Sequence, residues 1–239
     1  LVPSGIRLPL EQGKGKDRFM VKERGLLMKG PLVIKTINGL KTETRRVIRP
    51  AWSRCLDLDD PEDAASAVAH NPYGQPGDIL YLRETWKHDF IHNHVDYTAV
   101  GISYRAGEWG INMDLRNRKD RDRAIRGMER GDVWRPGIHM PRAYARVFVE
   151  VQDVSLERVQ CITEADAKAE GVVPFTQGFP EWPEQRLCTG ERCFDQPYRA
   201  GFAVLWDEIN ERRGYGWFEN PHVFVVRYKL VEYRAPALV

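Results

Sequence analysis

Gly77-Asp78-Ile79-Leu80-Tyr81-Leu82-Arg83-Glu84-Thr85-Trp86 is the stretch on which the fold class turns. Gly77-Asp78 supplies a turn, and Ile79 to Trp86 then alternates in character. With a two-residue period, Leu80, Leu82, Glu84 and Trp86 share one face of a strand. Ile79, Tyr81, Arg83 and Thr85 share the other. A carboxylate on an apolar face must be paired or protonated. Glu84 is therefore either the partner of one of the chain's many arginines or part of a site. Trp86 suits a core, or a base-stacking aromatic at the mouth of a barrel.

Working outward, Tyr97–Arg105 reads as a second strand. Ala143–Val154 is the longest strand, with Val147, Val149 and Val151 opposite Phe148, Glu150 and Gln152. His222–Tyr233 is the last. Three helices are expected. Pro31–Asn38 starts on proline and stops at Gly39, although Val33, Ile34, Thr36 and Ile37 suit a strand equally. Thr163 caps a second helix, Asp166 completes a capping box and Gly171 ends it. Phe202, Leu205, Trp206 and Ile209 mark a third, closed by Gly214. Residues 1–27 read as a flexible leader, 55–76 as an acidic loop, 106–137 as an exposed insertion and 172–200 as a long loop. Strands separated by irregular connections, with a few short helices, predict an α+β, mainly β chain. Its expected form is a small β-barrel with helices at the rim, one domain over residues 28–235.

The 239 residues are 42% hydrophobic and 29% charged, with net charge +2, which is ordinary for a globular chain. That balance does not by itself argue for nucleic acid. No apolar run approaches the ~20 residues of a membrane span, and Leu1–Lys16 lacks the apolar centre of a signal peptide. Cys55, Cys161, Cys188 and Cys193 are too few for a disulfide scaffold at this length, so a reduced, cytoplasmic protein is expected. Cys188-x4-Cys193 lacks the paired C-x2-C of a zinc site, although Cys161 and His222 could in principle complete one. P-loop, dinucleotide, HExxH and nucleophile-elbow patterns are absent. Neither metal nor cofactor is expected.

Chemistry concentrates in Gly39-Leu40-Lys41-Thr42-Glu43-Thr44-Arg45-Arg46, read as a loop. A threonine hydroxyl attacks only when a base removes its proton. A lysine serves as that base only when its pKa falls from ~10.4, as burial and the neighbouring Arg45 and Arg46 would favour. The same residues also fit a solvated basic stretch. Glu170 stands out because a carboxylate in the last helical turn faces the negative end of the helix dipole. Trp134-Arg135-Pro136-Gly137-Ile138-His139-Met140-Pro141-Arg142 is rigid and basic, with Arg142 a candidate phosphate contact.

These stretches together resemble the ASCH family, whose PUA-like fold is a small β-barrel related to RNA-binding domains. The resemblance rests on Gly39–Arg46, Gly77–Trp86, Thr163–Gly171 and the Trp206 helix leading into the last strand. It runs from about Met28 to Tyr233 and is nearest to the larger, phage- or prophage-associated branch. Small bacterial members are amidohydrolases that remove the acetyl group of N4-acetylcytidine. Their Gly-x-Lys-x-x-Thr motif falls on Lys41 and Thr44 here, and their glutamate after a long strand falls on Glu170. The resemblance thus implies Lys41, Thr44 and Glu170 as catalytic residues. Arg45, Arg46, Arg83, Glu84, Trp86 and Arg142 are the expected substrate-binding residues. The expected partner is a modified nucleoside or RNA. A non-catalytic RNA-binding module, or a ribonuclease using the same basic cleft, is the alternative.

Overall fold

The computed structural model describes residues 21–49, 56–93, 98–107, 111–114, 118–129, 133–175 and 196–234. The leader up to residue 20, most of the 172–200 loop, Cys55, Cys188 and Cys193 lie outside them. Eight strands and five α-helices are described: β1 Glu23–Leu27, α1 Gly30–Ile37, β2 Glu43–Val47, α2 Pro61–Ala69, β3 Ile79–Arg83, β4 Trp86–Asn93, β5 Thr98–Tyr104, β6 Ile111–Asp114, α3 Arg118–Glu129, β7 Val147–Arg158, α4 Glu164–Ala169, α5 Pro197–Asn210 and β8 His222–Tyr233. This is the expected α+β class. The described strands form a five-stranded mixed sheet, β1-β3-β7-β8-β2, and a three-stranded sheet, β4-β5-β6. Neither order returns to its starting strand, so the sheets are open where a closed barrel was expected.

The chain divides into two compact units, and each is interrupted in sequence by the other. The first holds residues up to Ile37, Ile79–Glu150 and the chain from Leu230 on. There β1 runs parallel to β3, and β3 antiparallel to β7 with Leu80 opposite Val149. The predicted parity holds, since Leu80, Leu82, Glu84 and Trp86 are all buried. The core of this unit gathers Trp86, Val100, Ile102, Tyr104, Ala124, Tyr144 and Phe148. Ala124 belongs to α3, so the stretch read as an exposed insertion carries a strand and a helix that reaches the core. Gly127 on that helix permits the approach, because a Cβ there would lie 2.3 Å from the His88 ring.

The second unit holds Asn38–Asp78 and Val151–Lys229. Its core gathers Val159, Ile162, Ala167, Phe202, Trp206, Trp217, Val223 and Val225. Here β2 pairs antiparallel with β8, Thr44 opposite Val226 and Glu43 opposite Arg227. Two expectations change. The lysine–threonine motif is not all loop: from Glu43 it is a strand, held by its ladder to β8 despite a charged sequence. The acidic 55–76 loop contains α2, whose N-cap Asp60 accepts from the amides of Glu62 and Asp63, with proline in the first turn. No helix among the described residues is long and apolar enough to cross a membrane.

Candidate functional site

The site lies within the second unit, where α4 ends against the start of β2. Thr163 caps α4 as expected, with Asp166 completing the capping box. Gly171 ends it in the left-handed conformation, at φ 75°, where a side chain would be strained. Glu170 is consequently the last residue in the helical conformation. Two groups from the motif meet this helix end: the Thr42 amide donates to the Ala169 carbonyl at 2.9 Å, and Lys41 Nζ donates to the Glu170 carbonyl at 2.9 Å. An ammonium at the negative end of a helix is favourably placed.

Lys41 Nζ also donates to the Glu43 carbonyl at 2.8 Å and lies 2.5 Å from Glu170 Oε2. The side chains of this pair are 1% and 5% exposed. An ammonium has three protons, and these acceptors match them. Burial pulls the Lys41 pKa below the ordinary lysine range. The Glu170 carboxylate opposes that shift, and Arg46 reinforces it. Glu170, oddly placed by the dipole argument alone, has its charge answered by Lys41 on one oxygen and Arg45 on the other.

Thr44 is buried and sits one residue beyond Glu43 on β2. Side chains alternate along a strand, so Thr44 and Arg46 occupy one face of β2 while Glu43 and Arg45 occupy the other. The contacts above tie Lys41 to Glu170. Thr44 is joined to them through the backbone, next to the carbonyl that Lys41 holds.

Arg45 was expected to bind substrate, but its side chain is 0% exposed. Its Nε donates to Glu157 at 2.7 Å. Nη1 donates to Glu43 Oε1 and lies 3.4 Å from Glu170 Oε1. Nη2 lies 3.6 Å from Asp166, and the guanidinium sits 5.8 Å from the centre of the Phe202 ring. The chain of charges continues outward. Arg227 Nε reaches Glu43 Oε2 at 3.2 Å, and its Nη1 reaches the exposed Asp153 at 3.0 Å. Burial raises the Glu43 pKa, with Arg45 opposing. Arg46, on the Thr44 face, is half-buried.

The remaining expected residues belong to the first unit, where each contacts other groups of that unit. Glu84 accepts both arms of Arg146, at 2.8 and 2.9 Å, in a fully buried bidentate pair. The Arg146 guanidinium packs 4.2 Å from the centre of the Tyr104 ring. Trp86 is a core residue, 3% exposed, and stacks edge-on to His88 and Tyr144. Arg83 donates to the carbonyls of Gly137 and Ile138. Arg142 forms an exposed ion pair with Glu23.

No family model matches the sequence, and no curated protein matches it. The solved structures similar to the chain include the following two. One is a protein of Enterococcus faecalis V583 described as DUF984, at TM-score 0.39 and 8% identity, covering 92% of this chain and 86% of its own. The other is an ASCH domain from Lactobacillus crispatus JV V101, at TM-score 0.35 and 10% identity, covering 89% and 81% respectively.

Sequence reasoning missed Glu43, Glu157, Asp166 and Arg227 as members of the site. The only local signal was the two-residue spacing of Glu43 and Arg45, which reads as a charged pair on one face once the segment is known to be a strand. Cys161 is exposed. Among the described residues, no group of three or more His, Cys, Asp or Glu side chains is placed to hold a metal ion.

Proposed function

We propose that this chain is an ASCH-type hydrolase that cleaves the amide of an acylated nucleobase or nucleoside of the N4-acetylcytidine kind. One observation carries the reading: the buried contact of 2.5 Å between Lys41 and Glu170, formed beside a strand bearing the Thr44 hydroxyl. In this reading Lys41 releases a proton to Glu170, and the resulting amine accepts the Thr44 proton as Oγ1 attacks the acyl carbon. Glu170 then protonates the departing exocyclic amine. The nucleobase leaves with a free amino group; water then attacks the acyl-threonine and gives a proton to Glu170, Lys41 returns its proton to Thr44 Oγ1, and the acyl group departs as its carboxylic acid. Burial of Lys41 favours its neutral form and so supports the base role. In the same reading Arg46, which shares the Thr44 face of the strand, stabilises the oxyanion.

The test is turnover of N4-acetylcytidine and related acyl-cytidines by wild type, Lys41→Ala, Thr44→Ala and Glu170→Ala. Wild type should hydrolyse at least one acyl-cytidine. Each variant should lose about 100-fold or more in kcat. A Thr44→Ala variant with undiminished kcat removes the covalent route.

A second reading has its own support. All three Lys41 protons already have acceptors, as in a purely structural lysine, and Trp134 is 40% exposed with Lys87 Nζ 5.3 Å from its ring centre. A basic, aromatic surface suits single-stranded RNA. That reading requires RNA binding that weakens steeply with salt, without acyl-cytidine turnover.

A further inference from the structure

We infer that Arg45 is a positioning residue for the reaction proposed above, and not a substrate anchor. Its guanidinium, gripped by Glu43 and Glu157, holds the Glu170 carboxylate through Oε1 so that Oε2 stays on Lys41 Nζ. This rests on the amidohydrolase reading for its link to catalysis, but its geometry stands independently.

The argument begins with access. A substrate anchor must present its N–H groups to a cleft, and the Arg45 side chain is 0% exposed. The Phe202 ring lies 5.8 Å from its guanidinium, and among the described residues carboxylates from three elements surround it. Glu43 comes from β2 itself, Glu157 from the end of β7, and Asp166 and Glu170 from α4 and its cap. The two oxygens of Glu170 are divided between Arg45 and Lys41. Rotation of that carboxylate would break both contacts, so the guanidinium fixes the direction in which Oε2 points. The short contact to Lys41 depends on that direction.

Arginine suits this place and lysine does not. The planar fork presents N–H groups in several fixed directions at once. Here Nε is taken by Glu157 and Nη1 by Glu43 and Glu170. A lysine keeps the charge but cannot reach these carboxylates together. The fork is itself held from outside, because Glu43 Oε2 is engaged by Arg227 on the neighbouring strand. Orientation of a catalytic group by its neighbours changes the rate of the chemical step more than the affinity for substrate.

The experiment compares full-length wild type, Arg45→Lys and Glu157→Gln. It reads kcat and KM for N4-acetylcytidine from about pH 5 to 9, and the crystal structure of each variant. Arg45→Lys should lower kcat roughly 10- to 100-fold, with KM within about twofold, and should displace the pH profile. Glu157→Gln keeps the arginine and an acceptor for its Nε but removes the carboxylate charge, and should lower kcat by a few-fold only. In the Arg45→Lys crystal structure, Lys41 Nζ and Glu170 Oε2 should have separated beyond hydrogen-bond distance. A rise in KM at constant kcat would mean that Arg45 holds substrate and would overturn the inference. Retention of the Lys41–Glu170 contact in Arg45→Lys would also overturn it. If wild type hydrolyses no acyl-cytidine, the amidohydrolase reading fails while the structural comparison still decides the positioning role. If Arg45→Lys does not fold, Glu157→Gln decides by the same two readouts, and an unchanged kcat in that variant counts against the inference.

Discussion

Lys41 Nζ lies 2.5 Å from Glu170 Oε2 across 129 residues of chain, and the same ammonium holds the Glu170 carbonyl. One side chain therefore serves both as a cap on α4 and as a charge partner for the residue that ends it. Removing one half of a buried pair leaves the other half charged and desolvated. Lys41→Met should destabilise the protein by about 3–5 kcal/mol, and Lys41→Met combined with Glu170→Leu should recover most of that loss. Urea unfolding measures both, and a single variant within ~1 kcal/mol of wild type would show that the pair carries no such role.

His88 should make the protein sensitive to mild acid. Arg135 Nη1 approaches its Nδ1 at 3.2 Å, so Nδ1 accepts. The ring proton then sits on Nε2, which faces the Tyr144 hydroxyl at 3.3 Å. Burial first, and Arg135 second, hold its pKa down at about 4 from an ordinary 6.5. Between those values the unfolded chain binds the proton and the folded chain does not. This contribution to stability is therefore full above pH 6.5 and is lost as the pH falls toward 4. Its size is roughly 1–3 kcal/mol. Thermal midpoints taken across this range should fall in wild type and fall less in His88→Gln.

Glu84 gives the sharpest contrast between a binding role and a structural one. Its two contacts to Arg146 are buried, so Glu84→Gln should cost about 3–5 kcal/mol. Among molecules that remain folded, KM for an acyl-cytidine should be unchanged. An intact fold with a raised KM would return Glu84 to the binding surface.

Thr163 starts the helix that ends at Glu170, one of the proposed reacting groups. Thr163→Ala removes the N-cap hydroxyl and the capping box, at a cost of about 1 kcal/mol. Faster amide exchange across Glu164–Ala169 should follow, with a fall in kcat of a few-fold as Glu170 loses its fixed position. Exchange confined to the global unfolding rate would show that α4 needs no cap.

The burial of Glu84 was legible from period alone, because Leu80, Leu82 and Trp86 fixed its parity. The capped helix from Thr163 to Gly171 was legible for a similar reason, since its start and stop signals are local. What escaped was decided elsewhere in the chain. Glu43–Val47 has no apolar alternation and is a strand only because β8 pairs with it. The α2 helix carried its signals openly in Asp60-Pro61, but the acidic, proline-containing composition around it reads as loop. The barrel was inferred from strands without knowledge of their partners, and the order β1-β3-β7-β8-β2 is set by pairings distant in sequence. Lys41 and Glu170 were brought together by resemblance and by an anomaly of charge, not by any spacing. The burial of Arg45 among carboxylates was not legible, because its two-residue relation to Glu43 has meaning only on a strand.

The pairing of β2 with β8 bears on how the protein is made. During synthesis, Lys41, Thr44 and Arg45 leave the ribosome long before the strand that pairs with them. Until Val223–Arg227 emerge, the segment Glu43–Val47 has no β8 ladder, and Arg227 is not there to brace Glu43. A nascent chain halted after Glu170 would hold every proposed reacting residue and still lack the site. In the amidohydrolase reading, activity would thus report translation through β8, and a stop codon ahead of that strand should be as silent as the loss of Lys41 itself.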